Sequence, residues 1–558
     1  MSGTVTEIEI GQVASSPRHD TAETSPKSGP STTPGQPADV LNITEPAEGT
    51  AAEDESHYPT GLKLLLILFC AGLVLILDGL DASIVSVAVP SITDHFHTVA
   101  DVGWYSAAYR LCSCSFQFMF GKLYRVFPVK AVFLLSVVIF MLGSLLCAAA
   151  PSSAAFVAGR AVCGFANSGI IAGCFTLLVY CLPLRRRPLF AGILGSVEGG
   201  ATIAAPILGG VIVESLGWRW CFWISLPIGA VTLAGLFFFL AEIKPQEQLT
   251  LRQKLQHLDL VGTAVFVPSL TCLFLALSWA GARYRWDSPV VIGLFCGFAI
   301  LLCVFAWDQR RKGDAATLPP RILRNRSVLA GFVFSFCCNA ALNVVEYYLP
   351  TYFQAVRDYS PARSGYLMLP SLGGYIAATL AHGSGVSMLG YCAPFMLASS
   401  LVLPVSAGLM TTLAPDTALA RTLCYAGLYG FAGGIGFQGP QSAVQAALPA
   451  GDASVGLAII IFAQQAGPAV FVSAAQSVFV NRLATNLAGL APGLNVTDIA
   501  SMGLGDLRGR VGPDELAGVL KGLDRSLVQT WYIAVALAVV TMAGSASMEW
   551  RSVKQKRS

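Results

Sequence analysis

Residues 62–89 read LKLLLILFCAGLVLILDGLDASIVSVAV. A helix needs about 20 mostly apolar residues to cross the hydrocarbon core of a bilayer, and this run is long enough to do so. Its charged residues are Lys63 near the start and Asp78 and Asp81 towards the end. Because a charge at the centre of a bilayer costs at least about 2.5 kcal/mol, the run predicts a membrane-spanning helix whose two carboxylates face other protein groups.

Similar apolar runs recur along the whole chain, which is 558 residues long, 54% hydrophobic and only 12% charged. A soluble domain usually carries about 25% charged residues, so most of this chain is expected to lie in lipid. Runs of spanning length occur at 62–89, 104–120, 130–150, 153–181, 189–214, 219–241, 258–281, 288–307, 327–350, 363–382, 389–411, 418–446, 454–479 and 529–547. They predict an all-α membrane protein of about fourteen transmembrane helices.

Lysine and arginine are concentrated in alternate loops, and the positive-inside rule places such loops in the cytoplasm. With the N-terminus inside, the cytoplasmic side holds Lys122, Arg125, Lys130, Arg185, Arg186, Arg187, Lys244, Arg252, Lys254, Arg310, Arg311, Lys312, Arg321, Arg324, Arg326, Arg551, Lys554, Lys556 and Arg557. The short outside loops hold only Arg219, Arg283, Arg285, Arg357, Arg363 and Arg421. Both termini are therefore predicted to be cytoplasmic.

An internal repeat divides the chain into two parallel halves. Gly164-Phe165-Ala166 recurs as Gly430-Phe431-Ala432, and Leu182-Pro183 recurs as Leu448-Pro449 at the same separation. Pro90 is echoed by Pro350, and Pro206 by Gly467-Pro468. The shared order pairs helices 1, 4 and 5 with helices 9, 12 and 13, and it predicts two six-helix halves with two extra helices between them.

The predicted organisation follows from the helices and the tails. Residues 1–58 are rich in Ser, Thr, Pro, Gly and acid and predict a disordered cytoplasmic tail. We expect an N-terminal bundle at 59–241, two linker helices with their cytoplasmic loops at 242–326, a C-terminal bundle at 327–547 and a basic cytoplasmic tail at 548–558. The C-terminal bundle includes a long outside loop at 480–528, and Asn495-Val496-Thr497 in that loop is a predicted glycosylation site.

Four blocks carry a resemblance to a known family. They are Leu80–Val85 with Ala88-Val89-Pro90, Gly159–Gly164, Trp218–Gly229, and Tyr347–Gln354 followed by Ser364-Gly365. In them the chain resembles the major facilitator superfamily, and most of all its fourteen-helix drug:proton antiporter branch and the toxin and secondary-metabolite efflux pumps of filamentous fungi. The resemblance covers about residues 61–547. It implies export of a small organic compound, driven by a proton gradient without a cofactor.

Several residues depart from the pattern of that family. Arg125 stands where an Asp is frequent, and Pro128 where a Gly is usual. The antiporter motif of helix 5 keeps Pro206, Gly209 and Gly210, which allow a kink and close helix packing, but it has Ala201 and Ala205 in place of glycines. Glu198 replaces an aromatic residue. These departures leave the gating ion pair and the direction of antiport open.

Polar residues inside the apolar runs predict a central cavity. Asp78 and Asp81 share one helix face, as do the pairs Arg110 with Gln117 and Arg160 with Asn167. Helix 9 carries a stripe of Asn339, Asn343 and Glu346, and helix 12 a stripe of Gln438, Gln441 and Gln445. Such residues are tolerated in a membrane where they face a cavity or a partner.

Each of these groups has a functional and a structural interpretation. Arg160 beside Asp81 is the pair predicted to couple or gate proton movement, but Arg160 could instead satisfy backbone carbonyls and hold helices together. Asp78 is a further candidate for the proton or an acid at the membrane boundary. Glu346 could contact the proton or the substrate, or be a buried hydrogen-bonded acid. Glu198 could select the substrate, or it could pair with Arg187. The glutamines of helix 12 could contact substrate or join helices.

Other classes of function find no support in the sequence. The phosphate-binding pattern G-x-x-x-x-G-K-[ST] does not occur, so ATP hydrolysis is not expected. The 15 cysteines are scattered and have no metal-ligand spacing, and no catalytic constellation indicates an enzyme.

The sequence thus predicts a secondary active efflux transporter for a small amphipathic organic compound, such as a toxin, a secondary metabolite or a drug. The alternatives are a proton-coupled uptake transporter for a nutrient or siderophore and a non-transporting membrane sensor. A small-molecule substrate and the lipid bilayer are its expected partners, with no nucleic acid, and we expect a monomer. The predicted location is the cell membrane, with a vacuolar or vesicle membrane as the alternative.

Overall fold

The computed structural model describes residues 59–97, 102–242, 258–280, 284–487 and 513–554. Fourteen long helices account for most of these residues, and we number them in chain order: α1 Gly61–Phe96, α2 Val102–Val126, α3 Val129–Ala148, α4 Ser153–Cys181, α5 Arg187–Leu216, α6 Ser225–Phe239, α7 Leu260–Trp279, α8 Pro289–Lys312, α9 Arg326–Thr351, α10 Leu369–Leu389, α11 Ala393–Met410, α12 Leu419–Phe437, α13 Ala450–Leu487 and α14 Pro513–Ser547. The predicted N-terminal tail and Asn495 lie outside the described residues.

Shorter helical pieces adjoin the long helices. Trp220–Trp223 precedes α6, Pro320–Leu323 precedes α9, Pro361–Leu367 precedes α10, and Gly439–Ala447 follows α12. The all-helical fold predicted from the sequence is confirmed.

Ten of the long helices are apolar enough along a sufficient length to cross a membrane. The other four in the described part of the chain are α2, α5, α10 and α12. Two of the contacts between the halves pair α2 with α13 and α5 with α10. A helix that faces another protein segment can carry polar residues on that face, which explains why hydropathy is lower there.

The helices form two six-helix bundles with the same internal pairings. In the first, α1 packs on α5 and α6, α2 packs on α4, and α3 packs on α4 and α6. In the second, α9 packs on α13 and α14, α10 packs on α12, and α11 packs on α12 and α14. The extra helices α7 and α8 pack on each other, and α7 also contacts α2 and α13.

The repeated glycines explain why the two bundles share a sequence signature. A Cβ atom at Gly164 of α4 would collide with the carbonyl oxygen of Tyr109 on α2, and one at Gly430 of α12 would collide with that of Ser371 on α10. At both places two backbones touch with no room for a side chain, so the repeat marks the tightest crossing of equivalent helix pairs.

The last two helices extend further than predicted. α13 continues to Leu487 and α14 begins at Pro513, so the predicted outside loop 480–528 is too long. Beyond the apolar runs the two helices pack on each other: Asn486 donates from Nδ2 to Ser526 Oγ at 2.9 Å, and Gly522 lies against Leu487. Hydropathy detects only the part of a helix that crosses lipid, so this extension was invisible to it.

The predicted tenth helix also has different bounds. The run at 363–382 resolves into the short helix Pro361–Leu367 and α10, which continues to Leu389. Pro370 lies at the start of α10, where its missing N–H costs no hydrogen bond.

Candidate functional site

Helices α1 and α4 bring Asp81 and Arg160 into contact. Arg160 Nη1 donates to Asp81 Oδ2 at 2.7 Å, and each side chain is only 1% exposed. The same guanidinium donates from Nε to the carbonyl oxygen of Tyr105 at 2.9 Å. Arg160 therefore both pairs with the predicted carboxylate and satisfies a backbone carbonyl, so the two interpretations of this residue are compatible.

Tyr109 of α2 links this pair to Asp78. Its ring centroid lies 4.5 Å from the Arg160 guanidinium, and its hydroxyl donates to Asp78 Oδ1 at 2.6 Å. Asp81 Oδ1 has no hydrogen-bond partner within the described residues. One buried guanidinium thus faces two buried carboxylates, and these three groups are electrically neutral only when one carboxyl carries a proton.

Glu198 of α5 is half-buried, and among the described residues its carboxylate has neither a hydrogen-bond nor an ion-pair partner. Arg187 at the start of the same helix donates instead to the carbonyl oxygens of Leu182 and Val179, at 2.9 and 2.8 Å. The two side chains start eleven positions apart, about 16 Å along a helix. Glu198 is therefore available to a ligand or a proton.

In the polar stripe on α9, the two asparagines have hydrogen-bond partners and the glutamate has none among the described residues. Asn339 Nδ2 donates to Ser335 O at 3.2 Å, and Asn343 Nδ2 donates to Asn339 O at 3.0 Å. Both amides thus bond the backbone of their own helix. Glu346, one turn further on, is half-buried and has no such partner in the part of the chain that the structure describes.

The predicted glutamine stripe begins at the end of α12. Gln438 is fully buried, and neither of its amide atoms has a described hydrogen-bond partner. Gln441 Nε2 donates to Gln464 Oε1 on α13 at 3.1 Å, and Gln464 Nε2 donates to Phe437 O at 3.3 Å. Gln441 therefore joins helices, whereas Gln438 retains its full hydrogen-bonding capacity.

In the first bundle, too, one of the two predicted amides has a hydrogen-bond partner and the other has none. Asn167 Nδ2 donates to Ser113 Oγ at 3.2 Å, whereas both amide atoms of the buried Gln117 lack a partner among the described groups. A buried polar group without a partner costs about 1–3 kcal/mol. Arg110, seven residues before Gln117 on α2, is exposed.

The helix 5 motif packs α5 against α1. A Cβ atom at Gly209 would lie 2.7 Å from Ile84 Cγ1, whereas at Gly210 the nearest atom would be Val87 Cγ1 at 4.0 Å. Gly209 is therefore the point of close approach, and Gly210 is not. Pro206 lies within α5, one turn before Gly209 and Gly210.

Tyr375 of α10 contacts the other bundle, a position that the sequence did not reveal. A Cβ atom at Gly199 of α5 would lie 3.1 Å from its ring, and the Phe437 ring lies edge-on to it at 5.5 Å between centroids. Tyr375 therefore packs against α5 one residue after Glu198. A lone tyrosine in a moderately apolar helix gives no periodic signal, so only the packing identifies it.

The two bundles are joined at the side that carries the basic loops, here called the basic face. Arg125 Nη1 of α2 lies 3.2 Å from Asp452 Oδ1 of α13. On the other flank Ser196 Oγ of α5 and Thr379 Oγ1 of α10 are 2.7 Å apart. The structure is therefore closed towards the predicted cytoplasm. Asp452 was missed because it is a single acid among small residues.

Known protein families include one whose sequence pattern matches most of this chain. The Major Facilitator Superfamily profile matches residues 71–472, well over half of the chain. The chain belongs to the major facilitator superfamily. It is therefore a multi-pass membrane transporter and not an enzyme.

Curated relatives match along almost their whole length. The MFS-type efflux pump MFS1 of Arthroderma benhamiae is 40% identical over 521 residues, which cover 92% of this chain and 97% of that protein. The efflux pump aflT of Aspergillus parasiticus is 39% identical over 510 residues, covering 91% and 99%. The efflux pump roqT of Penicillium rubens is also 39% identical, over 513 residues covering 92% and 95%.

Solved structures share the fold at low sequence identity. The human organic anion transporter MFSD10 has a TM-score of 0.53 and 14% identity, covering 86% of this transporter and 100% of that chain. The proton:xylose symporter XylE has a TM-score of 0.55 and 14% identity, covering 86% and 94%. At this identity the likeness supports the architecture alone.

Proposed function

We propose that this transporter is a proton antiporter that exports a small amphipathic organic compound from the cytoplasm. The observation that carries the proposal is the pairing of Arg160 with Asp81 beside a second buried acid, Asp78. A site with one fixed positive charge and two ionisable acids can gain and lose a proton without leaving an unpaired guanidinium. The names of three relatives, all efflux pumps, favour export over uptake.

In this proposal the proton and the substrate use the same space between the two bundles. With the basic face closed, a proton from outside neutralises Asp78 or Asp81, and the three-group cluster loses its net negative charge. Opening of the basic face then exposes Glu198, Gln438 and Tyr375 to the cytoplasm. Substrate binds there, the proton leaves to the cytoplasm, and the return movement carries the substrate outward.

The proposed location is the cell membrane, with a vacuolar or vesicle membrane as the alternative, and the proposed functional unit is a monomer. Export from the cell requires the basic face to be cytoplasmic, as the positive-inside rule predicts.

Transport in cells and in vesicles tests the direction and the coupling. We expect cells that express this transporter to retain less of a fluorescent amphipathic dye, such as rhodamine 6G, than cells that express Asp81→Asn. In proteoliposomes with the dye inside, an acidic exterior should accelerate its exit, and a protonophore should abolish that acceleration. Higher dye content in expressing cells would indicate the alternative, proton-coupled uptake.

A further inference from the structure

We propose that residues 313–324, between α8 and α9, form a latch that holds the two bundles together at the basic face, and that α7 and α8 anchor it. This inference goes beyond the proposed function, because it assigns a role to the two extra helices and holds for any substrate or driving ion.

The anchor of the latch is Asp259, the residue before α7. Its backbone is left-handed, with φ at 46°, and its carboxylate is almost fully buried. Oδ1 accepts from Gly262 N at 2.9 Å and Lys312 Nζ at 2.5 Å. Oδ2 accepts from Gln309 Nε2 at 2.7 Å and from Thr317 N and Oγ1 at 3.0 and 2.8 Å. One carboxylate thus fixes α7, the end of α8 and the latch to one another.

These hydrogen-bond partners stabilise the ionised form of the Asp259 carboxyl. Burial by itself would raise the pKa of the Asp259 carboxyl, but the hydrogen bonds from Lys312, Gln309, Gly262 and Thr317 outweigh burial and hold the pKa below its usual range. Gln309 Oε1 also accepts from Leu318 N at 2.8 Å. The latch is therefore held at both Thr317 and Leu318.

From this anchor the latch reaches both bundles. Lys122 of α2 is only 1% exposed, and its Nζ donates to the carbonyl oxygen of Asp314 at 3.1 Å. Arg321 donates to both carboxylate oxygens of Asp452 on α13, at 2.6 and 3.0 Å, and to Asp314 Oδ1 at 3.0 Å. A continuous path of Lys122, Asp314, Arg321 and Asp452 connects the first bundle to the second.

The helix that anchors the latch also lies at the junction of the bundles. The ring of Phe266 on α7 has its centroid 5.3 Å from that of Phe118 on α2 and 5.8 Å from that of Phe462 on α13. Since the latch is tied to α7 and α8, it cannot follow α2 and α13 when they separate. Opening the basic face therefore breaks a charge-assisted contact at one end of the path, leaving Lys122 or Asp452 with fewer partners.

The test measures opening of the basic face directly, in the full-length protein without substrate or gradient. Ser196→Cys places a thiol in the closed junction of α5 and α10, and its reaction with a membrane-impermeant maleimide in purified protein reports opening. Wild type, with its native cysteines, supplies the background. We expect Arg321→Ala to increase the labelling rate at least about tenfold, because it loses charge-assisted hydrogen bonds to Asp452 and Asp314 and a single such bond accounts for a factor of about ten. Asp259→Asn, which removes no hydrogen bond to either bundle, should also increase it.

Two variants of the same segment serve as controls. The side chain of Arg324 is exposed and has no hydrogen-bond or ion-pair partner in the described structure, so Arg324→Ala should label at the parent rate. Arg321→Lys keeps one charged donor and should label at an intermediate rate. Equal labelling of Arg321→Ala, Asp259→Asn and Arg324→Ala would overturn the proposal. If Arg321→Ala fails to fold, the isosteric Asp259→Asn decides the question alone.

Discussion

Arg125 on α2 and Asp452 on α13 lie 3.2 Å apart and join the two bundles at the basic face. Asp452 also receives two hydrogen bonds from Arg321, and the pKa of Arg321 is raised chiefly by these bonds. A single carboxylate, 4% exposed, therefore holds two guanidinium groups from different parts of the chain. Arg125, which departs from the family pattern noted in the sequence, therefore pairs with an acid of the other bundle.

Neutralising Asp452 should make the basic face open more readily. We expect Asp452→Asn to increase maleimide labelling of Ser196→Cys by at least as much as Arg321→Ala does, because it weakens the contacts of both arginines. The matched control is Asp287→Asn, at an exposed acid whose only described salt bridge is to its near neighbour Arg285. A labelling rate equal to that of the control would show that Asp452 does not hold the basic face closed.

The proton-coupling proposal predicts that loss of the Asp81 carboxylate abolishes transport but not substrate binding. Asp81→Asn fixes the neutral state and should reduce proton-driven efflux to the level of a vesicle without protein, while substrate binding remains measurable. Arg160→Ala removes the charge that faces Asp81 and Asp78, and it should impair transport as well. Efflux rates in proteoliposomes across a range of external pH check both variants, with Arg421→Gln as a control at an exposed arginine near the start of α12.

Unchanged efflux and unchanged pH dependence in Asp81→Asn would contradict this assignment. Glu346 would then be the leading candidate for the proton, since it is half-buried on α9 without a described partner.

The carboxylate of Glu198 on α5, which has no partner among the described residues, predicts that the transporter distinguishes substrates by their charge. Glu198→Gln removes a negative charge from the proposed substrate site, so export of a cationic substrate should fall several-fold more than export of a neutral one. The measurement compares efflux of rhodamine 6G with that of a neutral dye in wild type and variant. Equal loss for both dyes, or loss of the protein from the membrane, would mark Glu198 as a structural residue instead.

Topology can be tested through glycosylation. The sequence has three Asn-X-Ser/Thr sequons, which begin at Asn42, Asn325 and Asn495. With the basic loops in the cytoplasm, the first two cannot meet the glycosylation machinery, and only Asn495 can carry a glycan. A glycosidase-sensitive decrease in electrophoretic mobility should therefore vanish in Asn495→Gln and persist in Asn325→Gln. A glycan that survives the first change and disappears with the second would reverse the orientation.

The repeated glycine predicts a position-specific loss of stability. Gly430→Ala forces a methyl group into the carbonyl oxygen of Ser371 and should destabilise the second bundle by about 1–3 kcal/mol. Gly408→Ala on α11 is the control, because an added Cβ there meets nothing within 4 Å and alanine favours the helix. Thermal unfolding in detergent should show a lower midpoint for the first variant and an unchanged or higher midpoint for the second.

The sequence by itself determined the class of architecture. Long apolar runs with few charges can be satisfied only by helices in lipid, and the recurrence of Gly164-Phe165-Ala166 as Gly430-Phe431-Ala432 indicated two related halves. The same reasoning selected Asp81 and Arg160, because charges in hydrocarbon require a partner and few were available. Each of these inferences rests on a local property, either the polarity of a segment or the identity of a residue within it.

Only the tertiary structure decided which polar groups meet. Asn339 and Asn343 look like cavity residues in a helical pattern but bond their own backbone, whereas Gln438 beside Gly195 keeps both amide atoms unpaired. Tyr375 and Asp452 gave no sequence signal, since each acts through contacts with the other bundle. A contact between residues far apart in the chain depends on how whole helices cross, and neither hydropathy nor spacing encodes that crossing.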